Sequence, residues 1–212
     1  MDKQSGTSRD TQAIERKKEI LKAAESLFAK KGYHATSIRS INQAIGVADG
    51  LTYHYFPKGK FQILQTIINE GIEQRENSLQ TMIDAFDDNP PLREFLFSIS
   101  HMIYGVVIES RESILIALRE KNFLEENDKE FNLSSKKTME NIGLFFQSMI
   151  KYLQKCTESG QIKELDYEMA ISQFFSSILV DSLRKVLPED HNSDVDSHYI
   201  NRFVDFTLSM WS

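Results

Sequence analysis

Between Thr11 and Phe56 the apolar residues recur at helical spacing in three runs, parted only by glycine turns. In the first run Ile20, Ala24, Leu27 and Phe28 share one face, and Lys17, Lys18, Lys22 and Lys30 lie off it. Gly32 is placed to end this helix at its C′ position. Thr36 or Ser37 then offers an N-cap for a second, shorter helix with Ile38, Ile41 and Ile45 inward. Gly46-Val47 leaves room only for a tight turn before a third helix that begins near Ala48. Two short helices joined by such a turn, directly after a longer one, form a helix-turn-helix within a three-helix unit.

The rest of the chain reads as helix throughout, so the fold class is all-α with about nine helices. A fourth helix opens at Lys58 and Lys60, after Pro57, and runs to about Phe86. Phe61, Leu64, Ile68, Ile72, Leu79 and Ile83 mark its apolar positions. DDNPP at 87–91 breaks the pattern, and Pro90 or Pro91 suits the first turn of a new helix. Helical patterns follow at about 91–109, 112–125, 132–159, 166–187 and 195–211. With 9 Gly and 4 Pro in 212 residues, long helices with short connections are expected. The organisation predicted is a flexible tail over 1–10, a helix-turn-helix domain over 11–58 and a helical ligand-binding and dimerisation domain over 59–212.

The net charge of −6 would by itself argue against a polyanionic partner. Its distribution argues the other way. Residues 1–60 hold 11 Lys/Arg against 6 Asp/Glu, and residues 61–212 hold 14 against 25. A basic head on an acidic body is the asymmetry of a chain with one polyanion-binding end. The single Cys156 excludes an intramolecular disulfide and a multi-cysteine zinc site. The polar start MDKQSGTSRDTQ has no apolar core of a signal peptide, and no run approaches the ~18 apolar residues of a membrane helix. A cytoplasmic protein without a membrane partner is expected. No phosphate-cradling glycine motif occurs, and the five histidines show no H-x-x-x-H spacing. His191 and His198 with Asp194 and Asp196 read as a solvated loop rather than a metal cluster. Neither an enzyme, nor a cofactor, nor a metal is expected.

A helix-turn-helix lays its second helix in the DNA major groove, and phosphate contacts need donors at the rim of that helix. Thr36 and Ser37 stand at the start of the second helix. Tyr53, His54 and Tyr55 stand at the end of the third, and Lys58 and Lys60 at the start of the fourth. Gly50 leaves space for close approach to a duplex. Phe56 reads as core.

Residues 14–64, IERKKEILKAAESLFAKKGYHATSIRSINQAIGVADGLTYHYFPKGKFQIL, resemble the DNA-binding domain of the tetracycline-repressor (TetR) family. The matching features are ILKAAESLF, then GYHATS, then GV-x-x-G-x-x-YHYF, then a lysine opening the next helix. The resemblance covers about a quarter of the chain. It implies nine or so helices, a homodimer, binding to a palindromic double-stranded DNA operator, and release by a small molecule. By position, Thr36 and Tyr53 resemble phosphate clamps, His54 and Tyr55 further groove-edge contacts, Lys60 the lysine that anchors the DNA backbone, and Gly50 the glycine of the recognition helix. Three features depart from the family. Ala48 stands where a capping Ser is common, so Asp49 either caps or accepts from a cytosine amine. Leu51-Thr52 reverses the commoner polar-then-apolar order. Either Leu51 faces the groove and touches a thymine methyl, or Leu51 is core and Thr52 reads a base. PKGK is one residue longer than the commonest spacing before the lysine.

In the body, Phe95, His101, Met102, Tyr104, Phe123, Phe145, Phe146, Met149 and Phe175 are candidates to line an apolar, adaptable effector pocket. The last helix carries two apolar stripes, one through Val195, Tyr199, Phe203, Phe206 and Met210 and one through Ile200, Val204, Leu208 and Trp211. A surface helix normally carries one. Burial on two sides predicts a homodimer through about 166–211. The function expected is a ligand-responsive transcriptional regulator, a repressor released from its operator by a small apolar or amphipathic molecule. The alternative is a helical ligand-binding or interaction protein without operator binding.

Overall fold

The computed structural model describes residues 4–48, 50–86, 90–186 and 196–212. Among these run ten α-helices and no strand. They are α1 (Gln4–Lys31), α2 (Ile38–Ala44), α3 (Leu51–Tyr55), α4 (Lys60–Asp84), α5 (Leu92–Glu109), α6 (Arg111–Arg119), α7 (Lys121–Asn127), α8 (Lys129–Glu158), α9 (Tyr167–Val186) and α10 (Ser197–Trp211). The chain divides into two compact units. One comprises Met1–Ile72 and Glu112–Leu133, the other Glu73–Arg111 and Ser134–Ser212. The division expected at 58/59 coincides with neither, because α4 begins inside the first core. Its Ile63, Leu64, Ile67 and Ile68 are buried with Ile20, Phe28, Ile41 and Phe56, and α6 and α7 add Ile116 and Leu124.

Helix α1 starts at Gln4 rather than at Thr11, so most of the expected tail is helical. No proline interrupts those residues, and once a helix is nucleated each further residue adds a hydrogen bond at little cost. Gly32 ends α1 as expected. It adopts φ +87° and its N–H donates to the Phe28 carbonyl at 2.9 Å, a left-handed cap that side-chain-bearing residues rarely adopt. Gly46, at φ +67°, makes the turn between α2 and α3.

The single helix expected over 112–125 is two. Glu120 breaks it, because its carboxylate turns inward to accept from the Tyr33 N–H at 3.0 Å. Asp128 then caps α8 by accepting from the N–H groups of Glu130 and Phe131, at 3.0 and 3.1 Å, and its other oxygen accepts from Gln65. The extra break brings the helices to ten.

In the second unit Phe95, Leu96 and Ile99 of α5 pack with Phe145, Met149 and Leu153 of α8, Ile171, Phe174 and Ile178 of α9, and Ile200, Val204 and Trp211 of α10. Burying each such side chain contributes roughly 1.5–3 kcal/mol. The two stripes of α10 part company. Ile200, Val204 and Trp211 are buried, whereas Tyr199, Phe203 and Met210 are half-buried and Phe206 is 61% exposed. Helix α9 likewise leaves Met169, Leu179 and Val180 exposed. Among the described residues, no helix is long and apolar enough to cross a membrane.

Candidate nucleic-acid interface

Ser37 opens α2 with a reciprocal capping box. Its hydroxyl accepts from the Ser40 N–H at 3.0 Å, and the Ser40 hydroxyl accepts from the Ser37 N–H at 3.1 Å. The cap leaves Ser37 and Arg39 exposed on the first turn. Helix α3 is five residues long. Thr52 and, just beyond the helix, Phe56 point into the core with no exposed surface. That fixes the outward side, where Gly50, Tyr53 and His54 are exposed and Leu51 and Tyr55 half-buried. The Tyr53 ring lies so close to Gly59 that a Cβ there would stand 3.3 Å from it. Glycine in PKGK therefore gives the Tyr53 ring room. The Lys58 N–H donates to Gln62 Oε1 at 3.0 Å, and Lys58 is exposed. Ser37, Arg39, Gly50, Tyr53, His54 and Lys58 are thus exposed on the helix-turn-helix and its flank.

Three expected contact residues lie elsewhere. Thr52 is fully buried, and its hydroxyl donates to Asn42 Oδ1 instead of facing a base. Thr36 is 2% exposed, and its hydroxyl donates to the Gly32 carbonyl at 2.9 Å, closing the turn after α1. Lys60 is turned inward. Its ammonium donates at 2.8 Å to the carbonyls of both Tyr33 and Thr36, reaches His34 O at 3.5 Å, and stands 4.3 Å from the centre of the Tyr33 ring. Burial lowers its pKa below the ordinary lysine value, against the opposing pull of Glu120. Asp49 lies outside the described residues.

Arg39 went unnoticed in the sequence, although it is the only arginine between Arg16 and Arg75 and sits one residue inside the second helix. A corner built by α6 and α7 was also missed. Arg119 Nη1 donates to the carbonyls of Ala29 and Phe28, at 2.9 and 3.3 Å, at the end of α1. Glu120, 7% exposed, holds the Tyr33 N–H, and its second oxygen is 3.8 Å from His34 Nε2. Burial, and then the Glu120 charge, raise the Tyr33 pKa.

The expected effector residues divide. Phe123 belongs to the first unit, where its ring packs 5.2 Å from Tyr33 and 5.8 Å from Phe61, because the break at Glu120 turns α7 onto the α1–α2 corner. His101 is exposed on α5, with its ring 6.1 Å from that of Phe97. Phe95, Phe145, Phe146, Met149 and Phe175 do converge in the core of the second unit, and Met102 packs against it. Rings of Phe86, Tyr152 and Phe174 join them at 4.6–5.6 Å. Tyr104, 1% exposed, donates to Asp181. Lys185 pairs with that carboxylate at 3.4 Å and stacks 4.8 Å from the Tyr104 ring. Burial, with that hydrogen bond, raises the Tyr104 pKa. His191, Asp194 and Val195 lie outside the described residues. Among the described residues no group of three or more His, Cys, Asp or Glu is placed to hold a metal ion.

A capped second helix followed, across a tight turn, by a third with an outward side is the arrangement of a helix-turn-helix DNA-binding domain. Residues 20–67 match the family model of bacterial regulatory proteins of the tetR family. The chain is 29% identical over 128 residues to the HTH-type transcriptional repressor KstR2 of Mycolicibacterium smegmatis, covering 57% of this chain and 61% of that one. It is 32% identical over 72 residues to the HTH-type transcriptional regulator LmrA of Bacillus subtilis, covering 34% and 38%. It thus spans less than two thirds of the length of the curated relatives it matches. Its fold is similar to that of the ketosteroid transcriptional regulator KstR2 of Mycobacterium tuberculosis, with a TM-score of 0.66 and 15% identity over 93% of this chain and 95% of that one. Residues 20–67 thus carry a DNA-binding domain of the tetR type, and the fold of the chain is that of a solved regulator.

Proposed function

We propose that this chain is a dimeric, ligand-released repressor that binds a palindromic operator. The observation that carries the reading is the coincidence of two regions. The segment that matches the family model, 20–67, contains the exposed side chains of Ser37, Arg39, Tyr53, His54 and Lys58. Arg39 and Lys58 supply charge for phosphates, and Ser37 and Tyr53 supply hydroxyl donors at either end of the reading surface. Tyr55 would touch the groove edge, whereas Thr36 and Lys60 would act by shaping the turn that carries Ser37.

A second copy would cover the outer faces of α9 and α10. An open groove of ≈ 460 Å³ there is lined by Met169, Gln173, Ser176, Met210 and Trp211 among others, and Phe206 lies beside it. Small residues flanking exposed Met and Phe suit close packing of two helix pairs. An apolar effector would enter the Phe/Met core around Phe95, Phe145, Phe146, Met149 and Phe175. One similar solved structure is that of a ketosteroid transcriptional regulator, which supports a rigid apolar class of effector.

The test is gel retardation of the DNA flanking the gene at several salt concentrations, with the wild type and Arg39→Ala. Selective binding is expected. Arg39→Ala should weaken it and lower the slope of log K against log salt by about one per half-site. Equal affinity of the wild type for the flanking DNA and for unrelated DNA would favour the alternative, an interaction protein without an operator.

A further inference from the structure

The order Leu51-Thr52 puts an apolar side chain near the outside of α3 and a hydroxyl inside. Thr52 and Asn42 are both 0% exposed, and the Thr52 hydroxyl donates to Asn42 Oδ1 across the α2–α3 contact. They sit beside Ile41 and Phe56 in an apolar core, where a hydroxyl without a partner is costly. A five-residue helix has few other anchors, so this bond and Phe56 fix its rotation. With about 3.6 residues per turn, Gly50, Leu51 and His54 then fall on the sides away from Thr52. Leu51 is half-buried. Thr52 and Phe56, on the inward side of the same turn, have no exposed surface, whereas Leu51 keeps part of its side chain exposed. Beside it, the space where Gly50 would carry a Cβ is open, with no atom within 4 Å.

The first residues of a recognition helix are those that meet base edges. In the major groove an apolar side chain has one apolar partner, the 5-methyl group of thymine. We propose that Leu51 is a specificity-determining residue that reads a thymine methyl, and that the buried Thr52–Asn42 hydrogen bond is the positioning contact that presents it. The proposal rests on the operator-binding reading above. Burying one methyl corresponds to roughly fourfold in affinity per half-site.

The test begins with selection of a binding sequence from a randomised duplex pool by the full chain. Each thymine of that sequence is then replaced by uracil, which pairs alike and lacks the methyl. The wild type should lose about fourfold per half-site at one symmetry-related thymine position. Leu51→Ala should bind the thymine and uracil duplexes equally. Thr52→Ser should retain the discrimination. Thr52→Val should lose it while its affinity for unrelated duplex stays the same, a split that loss of stability alone would not produce. If uracil at every position leaves the wild type unaffected, or Leu51→Ala still discriminates, the methyl contact is wrong. If a folded Thr52→Val discriminates as well as the wild type, Thr52 does not position Leu51. A wild type that selects no sequence from the pool refutes operator binding itself, an outcome distinct from the others.

Discussion

The ammonium of Lys60 donates to the carbonyl of Thr36 at 2.8 Å, tying the first residue of α4 to the turn that precedes α2. The same ammonium holds the Tyr33 carbonyl, so the lysine closes the corner behind the capping residue Ser37. Lys60→Ala should therefore act first on stability. Hydrogen bonds to a charged donor contribute about 1.5–3 kcal/mol, and partial exposure of Lys60 brings the expected loss to ~1–2 kcal/mol. Urea unfolding of the wild type and the variant measures it. A variant of unchanged stability that loses one unit of salt slope per half-site would return Lys60 to the phosphate backbone.

Glu120 makes a second such tie from α6–α7. Its carboxylate is buried and accepts from the Tyr33 N–H. Glu120→Ala strands that donor, at a cost of about 1–3 kcal/mol, while Glu120→Gln keeps an acceptor and should cost less. Because Arg119 from the same corner holds the end of α1, the expected consequence extends to DNA affinity. Equal stability of the Ala and Gln variants would show that the Tyr33 N–H finds water instead.

What was legible in the sequence was local. Gly32, Gly46 and the Ser37 cap act on their own neighbours, so three helical runs and two turns could be read directly. The two apolar stripes of α10 follow from the 3.6-residue period alone. What was not legible depended on pairing across the chain. Thr52 turns inward because Asn42 offers it an acceptor. Lys60 turns inward because carbonyls more than twenty residues away bind it. Phe123 joins the first unit because Glu120, 87 residues beyond Tyr33, breaks the helix before it. A motif places these residues in a region, and only their partners decide which way each side chain points.

Phe206 is 61% exposed on the outer face of α10, beside a groove lined by α9. In a single copy Phe206→Glu should cost little, since exposed substitutions usually stay within about 0.5 kcal/mol. In a two-fold seam the same change places a charge in each copy against an apolar face. Light scattering at micromolar concentration should then give a dimer for the wild type and a monomer for the variant, with unchanged helical circular dichroism. A variant that remains dimeric would move the seam away from Phe206.

Glu25 of α1 is half-buried, and its pKa is raised above the ordinary glutamate value of 4.5, first by burial and then by the charges of Glu112 on α6 and Glu70 on α4. A raised carboxylate pKa means that the folded state binds the proton more tightly than the unfolded chain. Stability must then fall as pH rises through the window between 4.5 and the raised folded value, and stay lower above it. At neutral pH the ionised Glu25 therefore works against the fold where α1, α4 and α6 contribute to one core. Glu25→Gln should raise the melting temperature at pH 7 and give little or no gain at pH 4, where the wild-type carboxyl is already protonated. Glu112→Gln should show a smaller effect of the same sign, because it removes only a repelling neighbour and leaves the burial. Thermal unfolding of the three proteins across pH 4–8 decides it. A Glu25→Gln protein no more stable than the wild type at pH 7 would mean that solvent screens this carboxylate fully.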